Sequence, residues 1–298
     1  MDFINAFLVS SAVQAITPIL LAALAGALCG RVGVFNIALE GQLLVGAFAA
    51  VVGSYYTQSA WGGVICAMVA TMGFSLILGF GVTLFRGDAV VISVGMNLLA
   101  AGLTAYLLRE MFGVSGTFSD PAIVGLERIR IPELQSIPVL GWIVSRQTLI
   151  TWFSWLMVIA MTVMLFRTPL GLRMRGVGED PAAAESMGIK VDLYRFVTVV
   201  LTGALVGLGG AQLSLGTVSI FSEGMSAGRG WIAIVAVMLG REHPAFVALA
   251  CVLFGFADAF SIRLQSEGLP NQLTDAVPYV VTLIALVLSH RRRAATAA

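Results

Sequence analysis

Charged residues are scarce in this chain. Asp, Glu, Lys and Arg make up 11% of its 298 residues, whereas 58% are hydrophobic and the mean hydropathy is +0.95. A soluble domain usually has about 25% charged residues, so the polar surface that a water-soluble fold requires is missing. The formal net charge is only +1, which argues against the basic surface on which nucleic-acid binding depends.

Side chains that carry catalytic or metal chemistry are scarce as well. The single lysine, Lys190, is followed by Val191, which excludes the Gly-Lys-Ser/Thr core of a phosphate-binding P-loop. No metal-ligand spacing or Ser/His/Asp arrangement surrounds the few histidines and cysteines, which are His243, His290, Cys29, Cys66 and Cys251. We therefore predict a protein that is no enzyme by itself and holds no metal or cofactor. Energy from ATP would have to arrive through a partner.

Long apolar runs are what the chain has in abundance. Runs of about 20 residues, enough to cross a bilayer, are continuous rather than alternating, which disfavours a β-barrel. We predict an all-α, polytopic transmembrane helical bundle that forms one domain over residues 1–298. Its nine predicted spans are 12–29, 36–55, 63–85, 89–108, 149–166, 196–216, 230–240, 245–260 and 272–289. The segment 230–240 is too short to cross alone and predicts a half-helix or part of a longer tilted one.

Glycine is frequent, with 33 residues. In a membrane, small residues let helix backbones approach closely, and "LAALAGALCG" (21–30) and "LTGALVGLGG" (201–210) are of this kind. The spans that contain them, 12–29 and 196–216, run in opposite directions in the predicted topology. This favours an inverted-topology repeat, although coincidence of composition explains the similarity equally well.

The distribution of Lys and Arg predicts the orientation. With the N-terminus outside, eleven basic residues are cytoplasmic: Arg31, Arg86, Arg167, Arg173, Arg175, Lys190, Arg195, Arg241, Arg291, Arg292 and Arg293. Six lie outside: Arg109, Arg128, Arg130, Arg146, Arg229 and Arg263. The outer segment 109–148 also carries acidic residues that offset its arginines. We therefore expect the N-terminus outside and the C-terminus in the cytoplasm.

One long polar segment, residues 167–195, interrupts the apolar runs. Within it, "EDPAAAESMGI" predicts a short helix, with Asp180 at the N-cap, Pro181 at the first position and an end near Gly188. A cytoplasmic helix held between two spans is a natural docking surface. A solvated connector without a partner is the alternative on these grounds alone.

The stretch "TPLGLRMRGVGEDPAAAESMGIKV" (168–191) closely resembles the coupling loop of ABC-importer permeases of the branched-chain amino acid/simple sugar/nucleoside type. Three further stretches agree in family order: "GRVGVFNIALEGQLLVGAFAA" (30–50), "GRGWIAIVAVMLGREHP" (228–244) and "LFGFADAF" (253–260). Within the family, "GVFNIALEG" is similar to the nucleoside-uptake branch, because the ribose branch tends to read Gly-Ile-Asp-Leu-Ser there.

The resemblance implies a permease of the bacterial inner membrane, surrounded by lipid, that imports a small polar solute, and the expected solute is a nucleoside. It implies two cytosolic ATPase subunits that bind ATP and Mg, a second and usually non-identical permease, and an external substrate-binding protein or lipoprotein. It also implies that residues 180–188 sit in a groove on the ATPase. The predicted coupling residues are Arg173, Arg175, Glu179, Asp180, Ala183, Ala184, Met187 and Gly188. We expect Ala183, Ala184 and Met187 to form the apolar face that enters the groove.

Polar and aromatic residues inside the spans are the candidates for a solute path, since ionisable groups in hydrocarbon usually face the protein interior or water. They are Glu40, Asn97, Gln212, Phe221, Trp231 and Asp258. Asn97 is preferred because an uncharged amide suits a neutral solute, and Phe221 and Trp231 are candidates for stacking on a base or a sugar. The structural alternatives are interhelical hydrogen bonds, helix caps, interface anchoring of the aromatics and, for Glu40, a salt bridge to Arg31.

Three other functions remain open. A simple sugar (pentose) permease would share the same architecture. An ion-driven secondary transporter would use Glu40, Asp258 and Asp275 to relay protons or bind Na⁺, but it would have no need of an ATPase dock. A structural or assembly membrane protein is disfavoured by the polar residues dotted along the spans.

Overall fold

The computed structural model describes residues 6–129, 147–266 and 280. Helices dominate these ranges, and six of them are long and apolar enough to cross a membrane. In chain order the helices are α1 (Ala6–Arg31), α2 (Leu39–Thr57), α3 (Ala60–Thr83), α4 (Ala89–Phe112), α5 (Leu149–Arg167), α6 (Pro169–Glu179), α7 (Pro181–Ser186), α8 (Val191–Ala211, continued by the π-helical turn Gln212–Gly216), α9 (Arg229–Gly240) and α10 (Pro244–Ser266).

Eight of the nine predicted spans fall on described residues, and each of them is a helix. Six of these eight have the length and hydropathy of a membrane span: α1, α3, α4, α5, α8 and α10. α2 is buried along most of its length but carries polar residues in its first turn. α9 is short, as predicted. The ninth span, 272–289, and its Asp275 lie outside the described residues, and the inverted repeat stays a prediction.

The all-α prediction needs a small correction, because the described ranges also contain four two-residue strands. β1 (Thr117–Phe118) pairs antiparallel with β4 (Phe221–Ser222), and β2 (Arg128–Ile129) pairs antiparallel with β3 (Gln147–Thr148). Both pairs lie in the connections between helices, so they tie the α4–α5 connection to the α8–α9 connection and to the start of α5. Two-residue strands carry no alternating pattern, so sequence periodicity could not have found them.

The interior of the bundle is built on close helix contacts. α1 is the most enclosed of the six spans, with 89% of its apolar window buried, whereas α4 has only 22% buried. On α8, a Cβ added to Gly207 would lie 2.6 Å from the Ala67 carbonyl oxygen, and one added to Gly210 would lie 2.5 Å from the Ala47 amide nitrogen. The glycines of "LTGALVGLGG" therefore do what the sequence predicted, which is to let α8 touch the backbones of α3 and α2.

The chain between α1 and α2 is not helical. Residues 32–38 run in a non-helical course from the end of α1 to the start of α2. Arg195 Nε, from the start of α8, donates to the Val32 carbonyl (3.1 Å), and the Ile37 amide donates to Ser93 Oγ on α4 (3.3 Å). The predicted span 36–55 therefore starts as a helix only at Leu39. The first turn of α2 is mostly buried, so its N–H groups, which have no partner within the helix, lie inside the bundle.

α9 also has an end inside the bundle. Its 12 residues amount to about 18 Å at 1.5 Å per residue, well short of a hydrocarbon layer of about 30 Å. The C-terminal end of α9 lies beside the end of α1, where Arg31 contacts the Arg241 carbonyl. The N-terminal end therefore lies at an intermediate depth, next to the start of α2.

Candidate functional site

Glu40 joins the two helix starts that lie inside the bundle. Its Oε1 accepts the Gly228 N–H (2.8 Å) and its Oε2 accepts the Gly230 N–H (2.7 Å). α9 has no side-chain cap of its own, because Gly228 occupies the N-cap position with φ +82°. A carboxylate from α2 thus supplies the N-terminal cap of α9, a position where negative charge is favoured by the helix dipole.

Glycine is required where Glu40 meets α9. A Cβ added to Gly230 would lie 2.4 Å from both the backbone nitrogen and the Cα of Glu40. The backbones of α2 and α9 are therefore in direct contact at this point, and no larger residue fits without displacing one of the two helices.

The suggested salt bridge between Glu40 and Arg31 is wrong. Arg31 binds the opposite end of α9, where its Nε donates to the Glu242 carbonyl (3.1 Å) and its Nη2 donates to the Arg241 carbonyl (3.0 Å). The Glu242 carboxylate is 3.9 Å away, and burial raises the pKa of this carboxyl despite the opposing effect of Arg31. The two carbonyl contacts, which cap the C-terminal end of the helix dipole, are therefore the main attachment of Arg31.

Asn97 holds the start of α2 from α4. Its Oδ1 accepts the Gly41 N–H (2.8 Å), and its Nδ2 donates to the Ile37 carbonyl (3.0 Å). Both amide functions are engaged with backbone, as in the structural alternative of an interhelical hydrogen bond. The side chain is only half-buried, so a role in a solute path stays a prediction.

Two polar residues that the sequence analysis did not single out complete the first turn of α2. Asn36 Oδ1 accepts the Ala38 N–H (2.9 Å), and Asn36 Nδ2 donates to Gln42 Oε1 (3.2 Å). Gln42 Nε2 in turn donates to Ser75 Oγ on α3 (2.9 Å). Their presence in the apolar stretch "VFNIALEGQLL" was the available signal. We call the side chains of Asn36, Glu40, Gln42 and Asn97 the α2 junction.

Trp231 lies on α9, which adjoins the α2 junction, and Asp258 lies on α10, which packs against α9. The Asp258 carboxylate on α10 pairs with Arg229 Nη2 in the first turn of α9 (3.4 Å), and both side chains are mostly buried. Trp231 follows Gly230 directly and is 45% exposed. Val235 and Met238 follow at the i+4 and i+7 positions, and they are half-buried and exposed, respectively. Trp231 is therefore the first residue of an accessible apolar face of α9.

Gln212 and Phe221 do not join this group. Gln212 is completely buried, and its Oε1 accepts from Thr148 Oγ1 (2.6 Å) at the start of α5. Phe221 is also completely buried, with its ring edge-on to Phe48 at 5.2 Å between centroids. The expectation that Phe221 offers a ring face to a solute does not fit this structure, because the face is covered by core residues.

The polar insert contains two helices, of which the sequence analysis predicted one. α7 begins as expected, with Asp180 Oδ1 accepting the Ala183 N–H (3.0 Å), Pro181 in the first position and Gly188 at φ +80° beyond its end. α6 was missed. Its signal is of the same kind, since the Thr168 side chain accepts the Gly171 N–H and Pro169 again stands in the first position.

The two helices and the start of α8 line a groove of about 840 Å³ on the permease itself, distinct from the groove on the ATPase that the resemblance implies, and we call it the docking groove. Its lining residues are Pro169, Leu172, Arg173, Gly176, Glu179, Asp180, Ala183, Ala184, Met187, Gly188, Ile189, Lys190, Leu193 and Tyr194. Seven of the eight predicted coupling residues are among them. Met187 protrudes, with 80% of its surface exposed, whereas Ala184 is 4% exposed and belongs to the chain's own core. Ala184 therefore forms the floor of the groove and not a protruding face, which corrects the expectation.

Arg175 is the predicted coupling residue that lies elsewhere. Its guanidinium carbon is 5.1 Å from the centroid of the Phe166 ring at the end of α5. A helix turns about 100° per residue, so Arg173 and Gly176 face the docking groove while Arg175 points toward the spans. The signal for this orientation was present, because the buried residues of α6, Gly171, Met174 and Val177, recur every third residue and mark the face that packs against the rest of the chain.

The family described as branched-chain amino acid transport system, permease component, matches residues 8–286, and the chain belongs to this family of membrane permease components. Members of this subunit class are not themselves catalytic.

Individual relatives agree over most of the chain. The guanosine ABC transporter permease protein NupQ of Bacillus subtilis is 34% identical, covering 90% of this chain and 87% of the relative. The nucleoside ABC transporter permease protein NupC of Lactococcus lactis subsp. cremoris is 32% identical, with 91% and 88% covered. A solved ABC transporter in an inward-facing conformation has a TM-score of 0.54 and 16% identity, covering 92% of this chain and 85% of that one. At that identity the likeness concerns the fold alone.

Replacing Glu40 with Ala should lower the stability of the isolated permease. The change leaves the Gly228 and Gly230 N–H groups without their acceptor, and each buried unpaired group costs about 1–3 kcal/mol. Glu40→Gln retains one acceptor oxygen, so its melting temperature should lie between those of Glu40→Ala and the parent protein.

Unfolding in detergent can be followed with a thiol-reactive fluorophore, because Cys29 and Cys251 are buried in the folded protein. The exposed Cys66 is replaced by Ser in all variants. Glu110→Ala, which removes an exposed carboxylate, is the control. Equal melting of Glu40→Ala and this control would mean that the two hydrogen bonds do not stabilise the fold.

Proposed function

We propose that the chain is the membrane-spanning permease subunit of an ATP-driven importer and that it forms part of the path for a nucleoside. The observation that carries this proposal is the similarity to NupQ and NupC over about nine-tenths of the chain. The relatives' names supply the solute class. The polar insert with its two capped helices supports the use of an external ATPase.

The α2 junction is the part of the described chain best suited to contact a solute. Glu40 and Asn97 are half-buried, and the exposed Trp231 directly follows Gly230, whose N–H group Glu40 accepts. Hydrogen-bonding groups and an aromatic ring are therefore found at two adjoining helix starts. A purine or pyrimidine base has matching properties, with a flat face for stacking and edges that donate and accept. Gln212 and Phe221 are left out of this proposal, because both are enclosed in the core.

A second permease is proposed to cover α4. Gly95 and Gly102 lie seven residues apart on this helix, and nothing lies within 4 Å of a Cβ added at either. Their large neighbours Val91 and Leu98 are 70% and 72% exposed. A small-residue stripe of this spacing favours close approach of another helix over contact with lipid tails. Asn97 would then stand near the contact between the two permeases, and an external binding protein would deliver solute from the side of β1 and β4.

Two alternatives follow from particular observations. The glucose ABC transporter permease protein TsgB13 of Haloferax volcanii is 27% identical, with 93% of this chain and 75% of the relative covered, so a sugar is the second candidate solute. An ion-driven carrier is less well supported. The Asp258 carboxylate is paired with Arg229 and the Glu40 carboxylate is bound to two N–H groups, which leaves neither one free as an ion relay.

Uptake by the assembled system should require ATP and favour nucleosides. We expect proteoliposomes containing this permease, its partner permease and the ATPase to accumulate labelled guanosine when the binding protein and ATP are supplied. Labelled glucose and ribose should enter more slowly. If either sugar entered faster than guanosine, a sugar would replace the nucleoside as the proposed solute. Uptake driven by a proton or Na⁺ gradient without ATP would replace it by the ion-driven carrier.

The polar insert should face the cytoplasm and the α4–α5 connection the outside. We expect a membrane-impermeant thiol reagent to label Ser119→Cys in intact cells and to label Ser186→Cys only after the cells are opened. Both positions are exposed and lie in the described part of the chain. The basic asymmetry is the physical reason. The opposite labelling pattern would invert the topology.

Charge placed in the docking groove should release the ATPase. Ala183 and Met187 line the groove and are exposed, so Ala183→Asp and Met187→Asp would each bury an unpaired carboxylate when the groove is filled. We expect co-purification of the ATPase to fall by about tenfold or more, in line with 1–3 kcal/mol for an imperfectly paired polar group. Ala182→Asp is the matched control, since Ala182 is exposed on the same helix and does not line the groove. If the control and the two groove variants retained the ATPase equally, the docking surface would lie elsewhere.

A further inference from the structure

The Phe166 ring brings together side chains from the cytoplasmic helices and from the spans. Arg175 of α6 and Arg31 of α1 lie over the ring, with guanidinium carbons 5.1 and 5.7 Å from its centroid. The His243 imidazole, from the turn between α9 and α10, stacks on it at 4.6 Å and an interplanar angle of 23°. These distances are within the range of attractive cation–π and stacking contacts. We call this group the Phe166 cluster.

Arg175 is held in the cluster mainly by the ring. Its Nε is buried and has no hydrogen-bond partner in the described part of the chain. The same is true of His243 Nδ1. The contacts shown for these two side chains are therefore contacts with aromatic rings rather than hydrogen bonds. A contact that lacks directional hydrogen bonds can slide or tilt without breaking any.

α9 connects this cluster to the α2 junction. It is a single helix whose N-terminal end is bound by Glu40 and whose C-terminal carbonyls are bound by Arg31. The turn that follows is tight, with Arg241 and Glu242 both at positive φ (+50° and +57°), and α10 starts at Pro244. A shift of His243 therefore has to move the end of α9, because only Arg241 and Glu242 lie between His243 and Gly240, the last residue of α9.

We propose that Phe166 is a positioning residue for transport, which passes movement of α6 and α7 to α9 and through α9 to Glu40 at the α2 junction. This inference rests on the proposed function, in which an ATPase moves the docking groove. The movement enters at Arg173 and Gly176 on one side of α6, leaves through Arg175 on the other side, and crosses the ring to His243. This route differs from the covalent connections of α6 and α7 to α5 and α8. It runs through side-chain contacts to His243, which lies more than 60 residues beyond the end of α6 in the sequence.

Removal of the ring should uncouple the ATPase from the path without detaching it. In the reconstituted complex, we expect Phe166→Ala to keep ATPase co-purification and basal ATP hydrolysis, while guanosine uptake falls by about tenfold, the scale of a coupling free energy between sites. Phe166→Tyr retains the ring and should restore uptake. Phe80→Ala is the control, since the Phe80 ring packs against Phe196 of α8 at 4.9 Å and lies outside the cluster.

A local probe separates this role from general loss of structure. Ala227 is exposed and directly precedes Gly228, so Ala227→Cys, in a background without the three native cysteines, reports on the start of α9. With an otherwise intact cluster, its rate of maleimide labelling should differ between nucleotide-free and ATP-trapped complex. In Phe166→Ala that difference should disappear. Arg175→Leu, which removes the contact from α6 and leaves the ring in place, should weaken the response in the same direction and tests the route if Phe166→Ala does not assemble.

Three outcomes would overturn the inference. Normal uptake with a normal labelling response in Phe166→Ala and Arg175→Leu would remove any role of the cluster in coupling. Loss of ATPase co-purification in Arg175→Leu would make the cluster part of the docking surface. Absence of ATP-dependent uptake by the parent complex would instead remove the proposed function, and with it this inference.

Discussion

The structure depends on the contact between the Glu40 carboxylate and the first turn of α9. Two helices start inside the bundle, and the N–H groups of a helix start have no intrahelical partners. In a bilayer, water cannot supply them. Glu40 and Asn97 supply acceptors from neighbouring helices, and this fixes where α2 and α9 begin. The glycine at position 230 and the non-helical segment 32–38 follow from the same requirement, because both bring the two helix starts into contact.

This arrangement also leaves little uncompensated charge in the described interior. The negative charge of Glu40 is balanced by the dipole of α9, and that of Asp258 by Arg229. Asn36, Gln42 and Asn97 are neutral amides. A surface of this kind offers hydrogen bonds without a net electrostatic preference. Under the proposal that the α2 junction contacts the solute, an uncharged polar solute fits it better than a phosphate ester, which would need a free cation or an open helix N-terminus.

Much of the fold could be predicted from the sequence, because its signals are local. Apolar runs predicted the position of every span that lies in the described ranges, and Asp180 followed by Pro181 predicted the start of α7. The glycines of α8 predicted close packing. In each case a few adjacent residues determine the outcome through length, capping or size, so no knowledge of the rest of the chain is needed.

The partners of the polar residues could not be predicted, since they are distant in sequence. Glu40 and Gly228 are 188 positions apart, and Arg31 and Arg241 are 210 apart. Arg31 was the nearest basic residue to Glu40 in the sequence, but in the structure each of the two side chains binds a different end of α9. The burial of Phe221 likewise depends on which elements meet. α6 is a different case: Thr168 and Pro169 mark its start as clearly as Asp180 and Pro181 mark that of α7.

The polar first turn of α2 has a consequence for how the protein is made. An ionisable residue inside a membrane is costly to insert without a partner, and α2 carries Glu40 and Gln42 close together in its first turn. The groups that bind them, Ser75 on α3 and Gly228 before α9, are synthesised later. α2 therefore enters the bilayer ahead of its partners, and its final position is reached only when α9, about 190 residues further along the chain, has left the ribosome. Assembly of this permease is for that reason completed late, with the insertion of its C-terminal third.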